Sequence, residues 1–529
     1  MNIVDVLSER ARQMGEAVAI RDVHQGKDRV ITFAELERRS AQAAAFFMAQ
    51  GLKRGDAVLV LQGMSIELYV ALIGIFRAGM IAMFLDPSAG LSHIKRCCAL
   101  YAPKGLIGSP KAHLLRFASS ALRRVPHAFV IGTGWPGTVS LSSSERLEPL
   151  SEIASAETET PALLTFTSGS TGQPKAAVRS HGFLLAQHQV LEKSIELRAG
   201  EVDLTTLPVF VLANLGSGVT SVIPDADLRR PGFIKPNPVL EQIRRFKPTR
   251  TAGSPAFYEC LLQHLDEHPT THDALPSLKV YTGGAPVFPR LLARLKTNFE
   301  MNPEAVYGST EAEPIAHLDY EGITTDDFSA MLNGKGLLAG HPVPEIQLRV
   351  LKDQWGTSLG SLDQSHFDLL TTAPEEPGEL VVSGEHVLTT YLHGHGNEET
   401  KFTVQGTVWH RTGDLGYLDL SGRLWLLGRC VAKITDDRGA LFPFAVECVA
   451  HQFEWVRIAG CVAVNNQRWL AIQVRQAPTD IQFGELKNAL RWAQLDRCEI
   501  LPTLPVDSRH NAKIDYRQLR HLLADKATD

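Results

Sequence analysis

The chain has 529 residues, of which 44% are apolar, and a formal net charge of -5. This length suffices for a large buried core and for more than one domain, while the small negative charge provides no basic surface of the kind that binds nucleic acid. Seven cysteines are scattered without a CxxC pair, so neither a zinc site nor a disulfide framework is indicated and a reducing cytoplasm fits best.

The most membrane-like stretch runs from Leu68 to Leu85. Arg77 interrupts this stretch and Gly79 breaks it, so the pattern favours a buried helix followed by a strand over a membrane span. The N-terminus has acidic residues and no long apolar segment, which argues against a secretory signal. We therefore expect a cytoplasmic protein without a membrane span.

Strand-like and helix-like segments alternate along much of the chain. Residues 58–61 and 81–85 have the apolar pattern of strands, and residues 66–78 have the pattern of an amphipathic helix. The same alternation returns over residues 236–300. Alternation over such lengths predicts βα units with a largely parallel sheet, and hence an α/β fold.

An apolar segment at residues 164–166 leads into a loop of hydroxyls and glycines that is closed by a lysine. The loop consists of Thr167, Ser168, Gly169, Ser170, Thr171, Gly172, Gln173, Pro174 and Lys175. Its glycines let backbone N–H groups approach phosphate oxygens, its hydroxyls add donors and its lysine adds a positive charge, so we predict a polyphosphate site. Taken alone, the composition also fits a Ser/Gly-rich turn with a solvated lysine. The spacing differs from that of GxxxxGK[ST], which disfavours a kinase- or GTPase-type site.

Five further motifs follow this loop in order along the chain. They are Gly283-Gly284-Ala285-Pro286, Tyr307-Gly308-Ser309-Thr310-Glu311, Trp409-His-Arg-Thr-Gly-Asp414, Gly422-Arg-Leu-Trp-Leu-Leu-Gly428-Arg429 and Arg509-His-Asn-Ala-Lys513-Ile-Asp515. Each of them, as a bare peptide, is compatible with an ordinary turn or a solvated side chain. The evidence that they belong to one functional site is the order in which they follow the loop.

Together, the loop and the five motifs resemble the adenylate-forming superfamily, which includes acyl-CoA synthetases, peptide-synthetase adenylation domains and luciferases. The resemblance covers about residues 30–520. It implies a large N-terminal domain of βα-layered sheets over residues 1–429, which binds ATP and the acyl substrate. It also implies a small, mobile α+β domain over residues 430–529 that carries the catalytic lysine, and it implies ATP and Mg²⁺ as cofactors.

The resemblance also implies a role for each motif residue. Lys513 would bridge the carboxylate and the phosphate, Thr310 would bind the α-phosphate and Glu311 would hold Mg²⁺, which prefers carboxylate and phosphate oxygens. Tyr307 would stack on adenine, and Asp414 would accept hydrogen bonds from both ribose hydroxyls. The implied nucleotide-binding residues are Thr167, Ser168, Gly169, Ser170, Thr171, Gly172, Lys175, Gly283, Gly284, Ala285, Pro286, Tyr307, Gly308, Ser309, Asp414 and Arg429.

Residues 209–218 are apolar and contain glycines, a composition that also fits plain core packing. In the resembled superfamily this position lines the acyl pocket, which implies that Phe210 acts as an aromatic gate. The same resemblance implies substrate contacts for Val211, Leu212 and Asn214. Apolar residues without a fixed charge suit an aliphatic acid better than an amino acid, whose ammonium needs a carboxylate partner.

The hinge after Arg429 departs from the pattern of acyl-CoA synthetases, which have a polar hinge residue and then a Ser-Gly turn that helps to form the thiolation channel. In this chain Val431 stands at the hinge position, and Arg438 stands at the position of the glycine. A bulky side chain at that turn disfavours delivery of CoA.

The chain also resembles the bacterial olefin β-lactone synthetases. The resemblance rests on Arg438-Gly439-x-Leu441 in this hinge segment, and on Gly253-Ser254-Pro255 and the motif at 505–514 elsewhere in the chain. Those enzymes adenylate a 3-hydroxy fatty acid, whose own hydroxyl then attacks the acyl carbon, closes a four-membered lactone and expels AMP. The resemblance also implies association with other enzymes of an olefin or lipid biosynthetic cluster. Ala176 and the segment 310–314 depart from that branch, which leaves a different acid open.

Two other functions stay open from the sequence. A fatty acyl-CoA or acyl-carrier-protein ligase would use the same acyl-AMP intermediate. A non-catalytic binding protein could keep the fold, although intact Lys175, Glu311, Asp414 and Lys513 argue against it. The base for ring closure is not assigned, and three histidines are candidates: His181, His188 and His510.

We predict that Lys513→Ala nearly abolishes formation of the acyl adenylate. An attack of carboxylate on phosphate depends on positive charge at the reacting oxygens, and loss of one well-placed donor costs on the order of a hundredfold or more in rate. The measurement is ATP–pyrophosphate exchange with the acid substrate. Near-normal exchange in the variant would overturn the assignment of Lys513.

Overall fold

The structure is a computed structural model and describes residues 1–86, 89–168, 174–268, 275–506 and 513–528, without the side chains of residues 167, 168, 527 and 528. Helices and strands are numbered here in chain order. No helix within these ranges combines the length and the apolar character that a membrane crossing requires.

A largely parallel sheet carries the strand that leads into the glycine-rich loop. Its strands are β3 (Ala57–Leu61), β4 (Ile81–Phe84), β5 (Gly105–Gly108), β6 (His127–Val130), β7 (Val139–Ser140), β8 (Pro161–Ser168) and β9 (Pro174–Ser180). The spatial order is β7-β6-β5-β3-β4-β8-β9, and only the last pair, β8 with β9, is antiparallel among the described strands. The loop therefore joins two paired strands at one edge of this sheet.

A second, larger sheet carries most of the other motifs. Its strands are β1 (Val18–His24), β2 (Lys27–Thr32), β10 (Val202–Thr205), β11 (Thr220–Val222), β12 (Arg250–Gly253), β13 (Lys279–Gly283), β14 (Glu304–Ser309), β15 (Ala312–Asp319), β16 (Leu337–Pro342), β17 (Gln347–Leu351), β18 (Ser361–Leu362), β19 (Gly378–Ser383), β20 (Lys401–Val404), β21 (Thr407–Leu418) and β22 (Leu424–Arg429). Strands β10, β12, β13 and β14 are parallel neighbours, whereas the pairs that follow β14 up to β16 and β22 are antiparallel.

Helices cover the sheets and bury their apolar faces. They are α1 (Ile3–Met14), α2 (Phe33–Ala49), α3 (Ile66–Arg77), α4 (Leu91–Leu100), α5 (Pro110–Ala118), α6 (Ser120–Arg123), α7 (His181–Ser194), α8 (Pro208–Ser217), α9 (Pro236–Phe246), α10 (Pro255–Glu267), α11 (Pro289–Phe299), α12 (Thr325–Leu332), α13 (Gln364–Leu370) and α14 (Asn397–Thr400). Several of these helices begin at a residue whose side chain caps the first turn. The hydroxyl of Ser180 accepts the N–H of Phe183 at the start of α7, and Ser254 does the same for Phe257 in α10.

The residues after β22 form a smaller unit with its own sheet. Its elements are β23 (Ile434–Asp436), β24 (Gly439–Leu441), α15 (Pro443–Ala450), β25 (Val456–Val464), β26 (Gln467–Val474), α16 (Asp480–Ala489), β27 (Arg497–Ile500) and α17 (Tyr516–Thr528). Strand β26 pairs with β25 and β27, and buried side chains such as Trp455, Leu470 and Leu519 form apolar clusters within this unit. The predicted α/β fold, with a large sheet-rich part and a smaller C-terminal part, is confirmed.

The chain leaves strand β10 earlier than the pattern of its sequence indicates. Residues 203–208 have a strand-like pattern, but the strand ends at Thr205 and Pro208 begins helix α8. Proline fits the first turn of a helix because its missing N–H has no intrahelical partner there. Gly218, with φ of 75°, then ends the helix in the left-handed region. The apolar segment at 209–218 is therefore mostly helical.

Candidate active site

The ends of the glycine-rich loop lie on paired strands. Thr167 and Ser168 end β8, where their backbones pair with Lys175 and Pro174 of β9. Gly169, Ser170, Thr171 and Gly172 lie outside the described residues. The pairing places Lys175 directly at the exit of the loop.

Lys175 is buried and charge-paired. Its Nζ lies 2.6 Å from Oε2 of Glu399, and only 11% of its side chain is exposed. The same ammonium lies 5.8 Å from the centre of the Tyr391 ring, a cation–π contact. The lysine is thus held by a segment, residues 388–401, that the sequence motifs do not include.

Glu311 and Thr310 lie in the turn between β14 and β15, and several hydrogen bonds fix that turn. Tyr391 donates its hydroxyl to Oε1 of Glu311 at 2.7 Å. The backbone N–H of Leu388 donates to the carbonyl of Glu311 at 2.7 Å, and Nη2 of Arg179 donates to the carbonyl of Thr310, also at 2.7 Å. Burial, and then the neighbouring carboxylate of Glu311, raise the pKa of Tyr391, so its phenol stays a donor at neutral pH.

Lys401 is the second buried lysine of this region. Its Nζ donates to the carbonyl of Leu388 and lies 5.4 Å from the centre of the Tyr391 ring. The residue is 7% exposed. Burial, and to a smaller extent the nearby charge of Lys175, lower the pKa of Lys401 to about 7, although Glu311 acts in the opposite direction.

Tyr307, Asp414 and Arg429 form a second polar cluster. The hydroxyl of Tyr307 donates to Oδ2 of Asp414 at 2.7 Å, and Nη1 of Arg429 lies 2.9 Å from Oδ1 of the same carboxylate. The register of β21 and β22 places Asp414 opposite Arg429. Asp414, above all, raises the pKa of Arg429, and burial followed by the same carboxylate raises that of Tyr307. Three residues predicted from separate motifs therefore meet in space.

The Gly-Gly-Ala-Pro motif lies at the carboxyl end of β13, beside β14. Gly283 is opposite Val306, and a side chain on Gly283 would meet the Val306 carbonyl oxygen at 2.5 Å. Gly284 has φ of 81°, which favours glycine. Close approach of the neighbouring backbone therefore explains Gly283, and the left-handed backbone conformation explains Gly284. Ala285 and Pro286 follow in the loop before α11, and Gly308 and Ser309 end β14.

The residues expected to contact the acyl chain lie on helix α8. Phe210, Val211 and Asn214 are buried, and Leu212 is partly exposed. The amide of Asn214 donates to Oδ2 of Asp203 at 2.8 Å and to the hydroxyl of Ser221 at 3.1 Å, so this side chain is engaged within the core.

Lys513 lies on the small C-terminal unit and is exposed. Next to it, Ile514 forms a bridge with Val506, and Tyr516 donates its hydroxyl to Glu447 at 2.9 Å. Glu447 is buried, and burial raises its pKa to about 7. These contacts anchor the C-terminal side of the Lys513 motif, whose residues 509–512 lie outside the described ranges.

Two of the three candidate bases have structural partners. Nδ1 of His181 accepts the N–H of Ile3 at 3.2 Å, and Nε2 of His188 lies 3.1 Å from the hydroxyl of Ser217. His510 lies outside the described residues.

Sequence reasoning missed Arg179, Tyr391, Glu399 and Lys401. Each lies beside a predicted residue in space but outside the quoted motifs. Residues 388–401 lack a helical or strand periodicity, and only a loop rich in histidine, glycine and glutamate is visible there. The Lys175–Glu399 and Tyr391–Glu311 contacts span 224 and 80 positions, a separation that local patterns do not encode.

This arrangement of fold and motifs agrees with comparisons to known proteins. The chain belongs to the AMP-binding enzyme family, whose model matches residues 7–392, and it is accordingly an adenylate-forming ligase. An olefin β-lactone synthetase of Stenotrophomonas maltophilia is 31% identical over 98% of this chain and 97% of its own length. That of Xanthomonas campestris pv. campestris is 30% identical over 98% and 96%. The resemblance inferred from the motifs is confirmed.

Solved structures show the same fold. The anthranilate CoA ligase AuaEII, in complex with anthranoyl-AMP, superposes with a TM-score of 0.82 at 20% identity, over 100% of this chain and 98% of that one. ATP-bound MatB from Rhodopseudomonas palustris superposes with a TM-score of 0.80 at 19% identity, over 99% and 100%. At these identities the likeness concerns the fold alone.

We predict that Lys401→Met raises the stability of the protein more at pH 6 than at pH 9. The folded chain loses the Lys401 proton near pH 7 while the unfolded chain keeps it to about pH 10.4, so the wild-type protein gains stability with rising pH, by about 2–3 kcal/mol between pH 6 and pH 9. The measurement is the midpoint of thermal unfolding at both pH values.

Lys53→Met, at an exposed lysine, is the matched control and should shift the midpoint equally at the two pH values. An equal shift for Lys401→Met would contradict a neutral Lys401 at high pH.

Proposed function

We propose that this chain activates a 3-hydroxy fatty acid as its acyl adenylate and converts that adenylate to a β-lactone and AMP. The observation that supports this most strongly is the similarity to two olefin β-lactone synthetases, at 31% and 30% identity over nearly the whole of each chain. Fatty acyl chains fit the apolar residues of helix α8, which carries no charged side chain.

In the first half-reaction, a carboxylate oxygen attacks the α-phosphorus of ATP, and the bond from that phosphorus to the pyrophosphate oxygen breaks. Lys513 from the small C-terminal unit bridges the two reacting anions, and the hydroxyl of Thr310 donates to the α-phosphate. Lys175, together with the backbone and hydroxyls of the glycine-rich loop, binds the departing pyrophosphate. Fixed positive charge at these points stabilises the transition state more than the ground state.

Mg²⁺ is proposed at Glu311. The described residues contain no group of three His, Cys, Asp or Glu side chains that could hold a metal, so a magnesium ion here needs substrate oxygens in addition to one carboxylate. That donor set is the usual one for Mg²⁺ at a nucleotide. When bound, the ion neutralises negative charge between Glu311 and the phosphates.

The nucleoside is recognised by the cluster of Tyr307, Asp414 and Arg429. The ring of Tyr307 provides a face for adenine beside the Gly283–Gly284 backbone. Asp414, which Tyr307 and Arg429 already hold in place, has the acceptors for the ribose hydroxyls. Because these contacts already fix the Asp414 side chain, binding of the nucleotide costs less side-chain conformational entropy.

In the second half-reaction, the β-hydroxyl oxygen attacks the acyl carbon and the bond from that carbon to the AMP oxygen breaks. The hydroxyl proton is released, and AMP leaves with the bonding pair. The turn between β23 and β24 fits this use of an internal nucleophile. Arg438 occupies it and is paired with Asp436 and Asp496 at 2.8 and 2.9 Å, so its side chain is fixed at the place where acyl-CoA synthetases have a small residue.

A fatty acyl-CoA ligase is the second candidate. It is favoured by the CoA ligases among the relatives, such as the 2-succinylbenzoate–CoA ligase of Enterococcus faecalis at 23% identity over 86% of this chain. In both cases we propose a domain boundary at Arg429, with residues 430–529 as a mobile unit that delivers Lys513.

We predict that the purified protein with Mg·ATP and a 3-hydroxy fatty acid releases AMP and forms a β-lactone without CoA. The measurement follows AMP release over a panel of 3-hydroxy and plain fatty acids, with and without CoA, and identifies the products by NMR. Plain acids serve as the control because they form the adenylate but lack the internal nucleophile. Turnover that requires CoA and extends to plain acids would establish the ligase instead.

A further inference from the structure

The ion pair between Lys175 and Glu399 bears on how phosphates bind to Lys175 and leave it. Glu399 is a residue of the short helix α14, and its carboxylate contacts the one lysine that the glycine-rich loop provides. Its side chain is 33% exposed, whereas that of Lys175 is 11% exposed. A ligand that enters the site can therefore reach and displace the carboxylate more easily than it can move the lysine.

The segment that carries Glu399 is tied to the phosphate site at several points. The backbone of Tyr391 forms an antiparallel bridge with Ala177, two residues after Lys175, and the Tyr391 hydroxyl binds Glu311. Gly396 lies against the lysine so closely that a side chain there would meet the Lys175 Cδ at 2.6 Å. The position of Glu399 beside Lys175 is thus imposed by the fold and does not depend on one surface contact.

Phosphate and carboxylate compete for the same ammonium. Lysine has three donors on a single point charge, but a polyphosphate bound to Lys175 would lie next to the Glu399 carboxylate and be repelled by it. Like charges in contact are costly where water is partly excluded. ATP must therefore replace Glu399 as the partner of Lys175. The ion pair between Glu399 and Lys175 can form again when pyrophosphate leaves.

We propose that Glu399 is a positioning residue that pairs with Lys175 and competes with the phosphates of ATP and with pyrophosphate for its ammonium. The inference rests on the proposed role of Lys175 in binding phosphates. It is independent of the acid and of the lactone step. The carboxylate thereby weakens nucleotide binding and favours product release.

The test is calorimetric titration of Mg·ATP and of Mg·pyrophosphate, without acid, into wild type, Glu399→Gln and Glu398→Gln. Glutamine keeps the size of the side chain and removes its charge. We expect Glu399→Gln to bind both ligands about two- to fivefold more tightly, the upper part of the range for a partly exposed charge pair. Glu398 is the exposed neighbour in the same helix, and its variant should change binding by less than twofold. Weaker or unchanged binding in Glu399→Gln would overturn the proposal.

The Lys175→Met background separates pairing from general repulsion. If Glu399 acts mainly through Lys175, then adding Glu399→Gln to Lys175→Met raises ligand affinity by clearly less than adding it to the wild type, and only the direct repulsion of the phosphates by the carboxylate is relieved. An equal gain with and without Lys175 would overturn the pairing mechanism. Steady-state kinetics give a further readout, because the variant should lower KM for ATP and strengthen product inhibition by pyrophosphate. Wild-type protein that fails to bind Mg·ATP would instead refute the proposed function itself.

Discussion

Repulsion between anions is the constraint on which the proposed active site depends. A carboxylate must reach the phosphate of a polyanionic nucleotide, so the protein must supply positive charge at the point of attack. The same positively charged side chains must also be held in place by the fold when no substrate is bound. In this chain Lys175 is paired with Glu399, and Arg429 is paired with Asp414. Each of these positive charges is therefore compensated by a carboxylate of the protein itself.

The fold brings these charges together from two sheets. Strand β9 contributes Lys175, the turn after β14 contributes Glu311, and the antiparallel pair β21–β22 contributes Asp414 and Arg429. Behind Asp414, Arg411 forms a fully buried ion pair with Glu379 on the neighbouring strand, which ties β21 to β19. Residues 388–401 cross between the sheets and contact both Lys175 and Glu311, so this loop couples the two parts of the site.

The sequence predicts the α/β fold and the strands that end in motifs, because apolar runs and glycine turns are local signals. The resemblance of its motifs to the adenylate-forming superfamily also implies that Tyr307, Asp414 and Arg429 share a function. The sequence does not predict Tyr391 or Glu399, whose roles arise from contacts between distant segments. Helix α8 was missed for a different reason, since apolar residues on all its faces hide the helical period.

The most direct test of the account uses an acid labelled with ¹⁸O at both carboxylate oxygens. In the proposed sequence one labelled oxygen bonds to the α-phosphorus and leaves with AMP, while the ring oxygen of the lactone comes from the unlabelled hydroxyl. Mass spectrometry should therefore find one ¹⁸O in AMP and one ¹⁸O in the lactone carbonyl. Unlabelled AMP, with both labels retained in the acyl product, would contradict activation through an acyl adenylate.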